Sequence, residues 1–171
     1  MVVKRRSETM EENRAKLIAA ARRAFAEKGY AASSMDELTA SVGLTRGALY
    51  HNFGDKKGLL AAVVAQIDGE MAERAKADAS HASDDWERLL AEGVAYIKMA
   101  LDPEVRRIVL LDGPAFLGDP AQWPGQISCL DATRQTVEKM RERGLLKAVD
   151  AEAAAHMLNS AEIGRASCRE R

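Results

Sequence analysis

The residues best suited to chemistry in this 171-residue chain cluster between Ser33 and Lys57. Arg46, Gly47, Tyr50, His51 and Asn52 fall within seven positions, and Lys56 and Lys57 follow directly. The set consists of hydrogen-bond donors, a phenol and one residue with no side chain. An arginine pairs with guanine or with a phosphate, and a glycine lets backbone come close to a nucleic acid. Tyrosine and histidine donate to phosphate oxygens. Taken singly, Tyr50 reads equally well as a half-buried packing residue and His51 as a merely solvated one. Spaced together, they point to nucleic acid.

Two short helices must position these groups. Ser34 followed by Glu37 has the spacing of a capping box, in which hydroxyl and carboxylate each satisfy a free backbone donor. A helix is expected from Met35, with Met35, Leu38 and Val42 on one face, and Gly43 turns the chain at positive φ. Thr45 offers a cap for a second helix whose buried face is Leu49 and Phe53. The pair has the form of a helix-turn-helix, whose second helix presents its N-terminal residues to base edges in the major groove.

The run Leu38 to Phe53, followed by Lys56 and Leu59 and preceded by Phe25, Gly29 and Tyr30, resembles the DNA-binding signature of the tetracycline-repressor (TetR) family of bacterial transcription regulators. The resemblance covers the first third of the chain closely. It implies that Thr45, Tyr50, His51 and Lys56 touch phosphates while Arg46 and Gly47 approach bases, with Ser34 and Asn52 in the same DNA-facing set. Thr39 and Val42 depart from it, standing where the family often has alanine at the helix crossing, which implies a slightly wider or repacked contact.

Composition supports a helical protein: 47% hydrophobic and 30% charged residues, with four prolines. The net charge of −1 hides an asymmetry, because residues 1–60 hold 11 Lys and Arg against 7 Asp and Glu, and residues 61–171 hold 14 against 19. A basic first third attracts phosphates and an acidic remainder keeps away from the duplex. No secretory leader or membrane-spanning run is visible, and Cys129 and Cys168 form neither a disulfide framework nor a zinc motif, so a cytoplasmic protein with no membrane association is expected.

In chain order, residues 1–10 read as a mobile arm whose Lys4 and Arg5 can reach a minor groove, or as an inert start. A helix follows from Glu11 to Lys28 with Ile18, Ala21 and Phe25 inward, closed by Gly29. Asp55 caps a linking helix through Leu59, Leu60, Val63 and Ile67 to about Ala79. Trp86 to Leu101 is amphipathic through Leu89, Leu90, Val94, Ile97 and Leu101, and Asp102 with Pro103 opens a short helix. Residues 113–125 carry three prolines and three glycines, through which no helix is expected to run unbroken. Helices resume over Ile127 to Arg143 and from Asp150, the last with Ala153, Ala154, Met157, Leu158 and Ala161 as its apolar face. No strand pattern appears.

The fold expected is all-α: a three-helix DNA-binding domain over residues 1–57, then a helical ligand-binding and dimerisation domain over 58–162. Residues 163–171 break the last helical pattern, read like a translated sequencing adapter, and are expected to be a non-native tail on a truncated chain. His51, His81 and His156 lack metal-ligand spacing and no nucleophile is evident, so neither a metal, a cofactor nor an enzyme is expected. Tyr96, Met99, Phe116, Trp123, Ile127 and Met140 have the mostly apolar composition of a ligand pocket, although each alone reads as core. The resemblance implies a small-molecule effector whose binding shifts the linking helix and releases a double-stranded DNA operator. It also implies a homodimer built on the last two helices, impaired here if the second is missing. The leading expectation is therefore a ligand-responsive repressor of a near-palindromic operator, with an activator open, and the alternative is a helical carrier or interaction module with a vestigial DNA head.

Overall fold

The fold is given by a computed structural model describing residues 6–147 and 149–168. The described residues form helices joined by turns, with no strand among them. They form two compact units, one made of the described residues up to Gln66 together with Arg106–Gly118 and the other of Ile67–Val105 together with the described residues from Asp119 on.

The first unit is built on α1 (Arg6–Lys28), α2 (Met35–Ser41), α3 (Arg46–Phe53) and the first half of α4 (Lys56–Asp78). The helix α1 starts at Arg6, ahead of the expected Glu11, because residues 6–10 contain no glycine or proline to stop it. Its core face is Leu17, Ala21 and Phe25, all fully buried, while Ile18 is only half-buried. Leu38 of α2, Leu49 of α3, and Leu59, Leu60 and Val63 of α4 are buried as well. Each large apolar group so buried contributes roughly 1.5–3 kcal/mol. Gly29, at φ 81°, ends α1 in the left-handed region that favours glycine, and the Arg107 guanidinium lies over it.

The first unit also takes in a segment from much later in the chain. After α6 (Pro103–Val105) the helix widens into a π-helix (Arg106–Asp112) and tightens again as α7 (Gly113–Leu117). Ile108 and Val109 of the π-helix are buried. The breaker-rich stretch is thus helical up to Leu117, contrary to expectation. The wide turn directly ahead of Pro114 relieves the clash a proline ring makes with the preceding turn of an α-helix. The chain does break at Gly118 (φ 93°), followed by a 3₁₀ turn at Pro120–Gln122.

The second unit holds the rest of α4, α5 (Asp85–Met99), α8 (Pro124–Glu142) and α9 (Ala151–Cys168). Asp84 caps α5, its Oδ1 accepting the Glu87 N–H at 2.8 Å, and Glu87 Oε2 reaches back one residue further to accept the Ser83 N–H at 2.7 Å. Its expected apolar stripe is only partly covered, since Leu90 and Val94 are exposed and Ala95 carries the burial. Asp150 Oδ1 accepts the Ala153 N–H at 2.8 Å, opening α9 as expected. The buried face of α9 is Ala151 and Ala155, with Ala154 and Leu158 partly covered; Ala153 and Met157 face outward. A run of alanines gives little phase to a helix, which is why the face was displaced. The expected break at residue 163 is absent, for α9 continues to Cys168 and a single glycine at 164 costs only about 1 kcal/mol.

Candidate nucleic-acid interface

Local hydrogen bonds fix the two helices that carry the site. Ser34 Oγ accepts the Glu37 N–H at 3.4 Å, which is half of the expected capping box. The other half is missing because the Glu37 carboxylate pairs with Lys28 Nζ at 3.1 Å instead. Gly43, at φ 67°, turns the chain, and Thr45 Oγ1 accepts the Ala48 N–H at 3.2 Å to start α3. Thr39, buried at the helix crossing, donates its hydroxyl to the carbonyls of Met35 and Asp36, so its polarity is satisfied within α2.

Leu49 is fully buried and anchors the inner face of α3, which turns Arg46, Gly47, Tyr50 and His51 outward. Tyr50 is 47% exposed, too open for a packing residue. Arg46 Nε lies 3.3 Å from Asp36 Oδ1, with both side chains more than half exposed, so this pair is weak and yields readily to a base or phosphate. At Gly47 an added Cβ would meet only Thr45 Oγ1 at 3.6 Å. No internal contact therefore requires glycine there.

Two residues of the expected set, Asn52 and Lys56, are less available. Asn52 turns its amide back to donate to the Ala48 carbonyl at 2.8 Å, four residues earlier on its own helix. Lys56 Nζ stands 4.5 Å from the centre of the Tyr30 ring and donates to the Ala31 carbonyl at 3.3 Å. Partial burial lowers its pKa, opposed by the Asp112 charge. Phe53 is half-buried, with the Arg14 guanidinium 4.7 Å above its ring. Lys57 is exposed, and Lys4 and Arg5 lie outside the described residues.

Sequence reasoning missed the groups that hold this surface in place. Arg14 donates to the Asn52 carbonyl at 3.4 Å and so satisfies the C-terminal end of α3. Asp112 accepts the backbone N–H of Tyr30 at 2.7 Å and pairs with Arg107 at 3.4 Å. The Phe116 ring lies 4.3 Å from the Tyr30 ring, so Phe116 belongs to the head unit and not with the other pocket candidates. In the second unit Trp123 and Met140 are buried, Tyr96 and Met99 half-buried, and Ile127 is exposed on α8. Among the described residues no group of three or more acids, cysteines or histidines is arranged to hold a metal, and no helix is long and apolar enough to cross a membrane.

Comparison with known proteins divides the chain along its sequence, into an N-terminal and a C-terminal part. Residues 17–63 match the family model "Bacterial regulatory proteins, tetR family", and residues 86–168 match "Tetracyclin repressor-like, C-terminal domain". A TetR-family transcriptional regulator of Pectobacterium atrosepticum, known by crystal structure, is 47% identical, with 95% of this chain and 83% of that chain covered at a TM-score of 0.82. The chain belongs to the TetR family of transcriptional regulators. Among curated TetR-type proteins, the HTH-type transcriptional repressor AcnR of Corynebacterium glutamicum is 39% identical over 61 residues, 36% of this chain and 32% of its own length. The HTH-type transcriptional regulator TtgR of Pseudomonas putida is 32% identical over 111 residues, 63% of this chain and 52% of its own. The chain thus spans from about a third to about half of these two curated relatives, and both matches are to proteins named as regulators.

Proposed function

We propose that this chain is a ligand-responsive, DNA-binding transcriptional regulator that reads a near-palindromic operator through α3. One observation carries the reading: α3 is clamped from inside by Leu49 and presents Arg46, Gly47, Tyr50 and His51 on a single outward face. Ser34, Thr45, Lys56 and Lys57 extend that face with further donors, and Lys4 and Arg5 supply charge at the start of the chain. Phosphate contacts fix the register, while Arg46 and the bare backbone at Gly47 approach base edges.

Repression is the favoured sign, supported by the AcnR proteins being named repressors. The second unit, with Trp123, Met140, Tyr96 and Met99 at least half-buried among helices, is the receptor for a small-molecule effector. A homodimer brings two α3 helices to half-sites about 34–36 Å apart. The outward face of α9, with Met157 75% exposed, is the surface that supports such self-association. Working on chromosomal DNA, the protein acts in the cytoplasm. A gel shift with the DNA flanking its own gene tests the reading. Retention of a single discrete complex supports it, and failure to retain any DNA at low salt would favour a carrier with a vestigial head.

A further inference from the structure

Among the described residues, two buried side-chain polar atoms have no hydrogen-bond partner: Asp68 Oδ1 and Trp123 Nε1. Both residues belong to the second unit, and both are more than nine-tenths buried, at 5% and 8% exposure. Both belong to the start of α8, Asp68 by packing against it and Trp123 by its place in the chain. Trp123 is the residue that opens α8, and it makes no side-chain cap. Two residues on, a Cβ added at Gly125 would lie 2.8 Å from Asp68 Oδ2, so glycine is what lets the start of α8 close on the carboxylate. Gln126 donates to that carboxylate from the same turn. One carboxylate oxygen is thereby held against α8, while the other oxygen and the indole N–H remain an unmatched acceptor and an unmatched donor.

A buried orphan of either kind costs free energy, and two of opposite kind at one helix start call for a single group that answers both. A ligand carboxylate would satisfy the indole but confront the charge of Asp68. An ammonium would satisfy Asp68, leave the indole donor unmatched, and meet the positive end of the α8 dipole. A hydroxyl donates once and accepts twice, so it fits both atoms. Ile67 and Met71, flanking Asp68 on α4, are buried apolar side chains of the same unit. We infer that Asp68 and Trp123 form the polar receptor of the effector site, and that the effector is an apolar molecule carrying an alcohol or phenol hydroxyl. The inference rests on the reading of the chain as an effector-responsive regulator.

Calorimetric titration of the full chain with benzyl alcohol and with toluene separates hydroxyl recognition from simple apolar binding. Benzyl alcohol should bind at least about tenfold more tightly than toluene, as expected for a hydrogen bond to a charged group. It should also shift the Trp123 indole N–H resonance in ¹⁵N-labelled Trp86→Phe protein, where Trp123 is the sole tryptophan. Asp68→Leu, which removes a buried charge and so favours folding, and Trp123→Phe should each bring the two affinities to within about twofold. Equal affinities in the parent protein, a preference that survives both substitutions, an unmoved indole resonance, or no binding of either compound would each overturn the inference. A gel shift on the same samples keeps the two readings apart. Intact DNA binding with any of those results removes the hydroxyl receptor alone, whereas absent DNA binding in the parent protein removes the regulator.

Discussion

Asp112 and Tyr30, 82 residues apart in sequence, are joined by a 2.7 Å hydrogen bond from the backbone N–H of Tyr30 to Asp112 Oδ2. The bond ties the π-helix Arg106–Asp112 to the turn after α1, and the Tyr30 ring in turn lies under the ammonium of Lys56. A chain of three touching groups therefore runs from a late segment of the sequence to a candidate phosphate clamp. Asp112→Ala removes a charge-assisted bond from a partly buried N–H, costing about 1.5–3 kcal/mol. Thermal unfolding should show Tm lowered by roughly 3–10 °C, with Asp112→Asn intermediate. An unchanged Tm for Asp112→Ala would mean the bond is not made in solution.

Gly47 separates folding from recognition. Its added methyl meets nothing closer than 3.6 Å inside the molecule, and alanine is the better helix former. Gly47→Ala should leave Tm unchanged or raise it slightly, while operator affinity in a gel shift falls at least about tenfold, the size of effect expected when one good pairing with a base edge is removed. Equal affinity would show that backbone at position 47 does not approach the DNA.

Arg14 lies over the Phe53 ring at 4.7 Å and donates to the Asn52 carbonyl. Arg14→Ala removes both interactions at the end of α3, worth about 0.5–2 kcal/mol for the cation–π term. Chemical unfolding should show that destabilisation, and Arg14→Lys should recover part of it because a lysine keeps the charge and gives up the planar donors.

The Asp68 carboxyl is pushed up to about 6 by burial, against partial relief from Gln126. With a folded pKa above the unfolded one, its protonated form contributes stability that is full below about pH 4 and is lost as pH rises through about 6. Above that window the ionised group weighs against folding by up to ~3 kcal/mol. Asp68→Asn should therefore raise Tm at pH 8 relative to the parent, with the difference vanishing near pH 4. Parallel Tm curves for the two proteins across that range would contradict the assigned environment.

What the sequence revealed was local. Ser34, Gly43 and Thr45 act on neighbours within a few positions, and the structure uses all three as caps or turns. The outward set on α3 was legible for the same reason, since Leu49 fixes the phase of a short helix. Non-local partners were not legible. Lys28 takes the Glu37 carboxylate that spacing assigned to a cap, and Asp112 finds Tyr30 across the chain. Asp68 did carry a signal, being an acid on the same stripe as Leu60, Val64 and Met71, where a solvated charge does not belong. The alanines of α9 carried almost none, and its inner face was displaced accordingly.

Selection of bound duplexes from a randomised library, followed by titration of the selected site at several salt concentrations, addresses DNA reading most directly. The account predicts enrichment of an inverted repeat with half-sites spaced by about one helical turn. It also predicts a log K that falls with log salt by roughly 0.9 per phosphate contact, with Lys56→Ala lowering that slope by about one contact. A library recovered without enrichment, bound no better than random duplex at any salt, would contradict it.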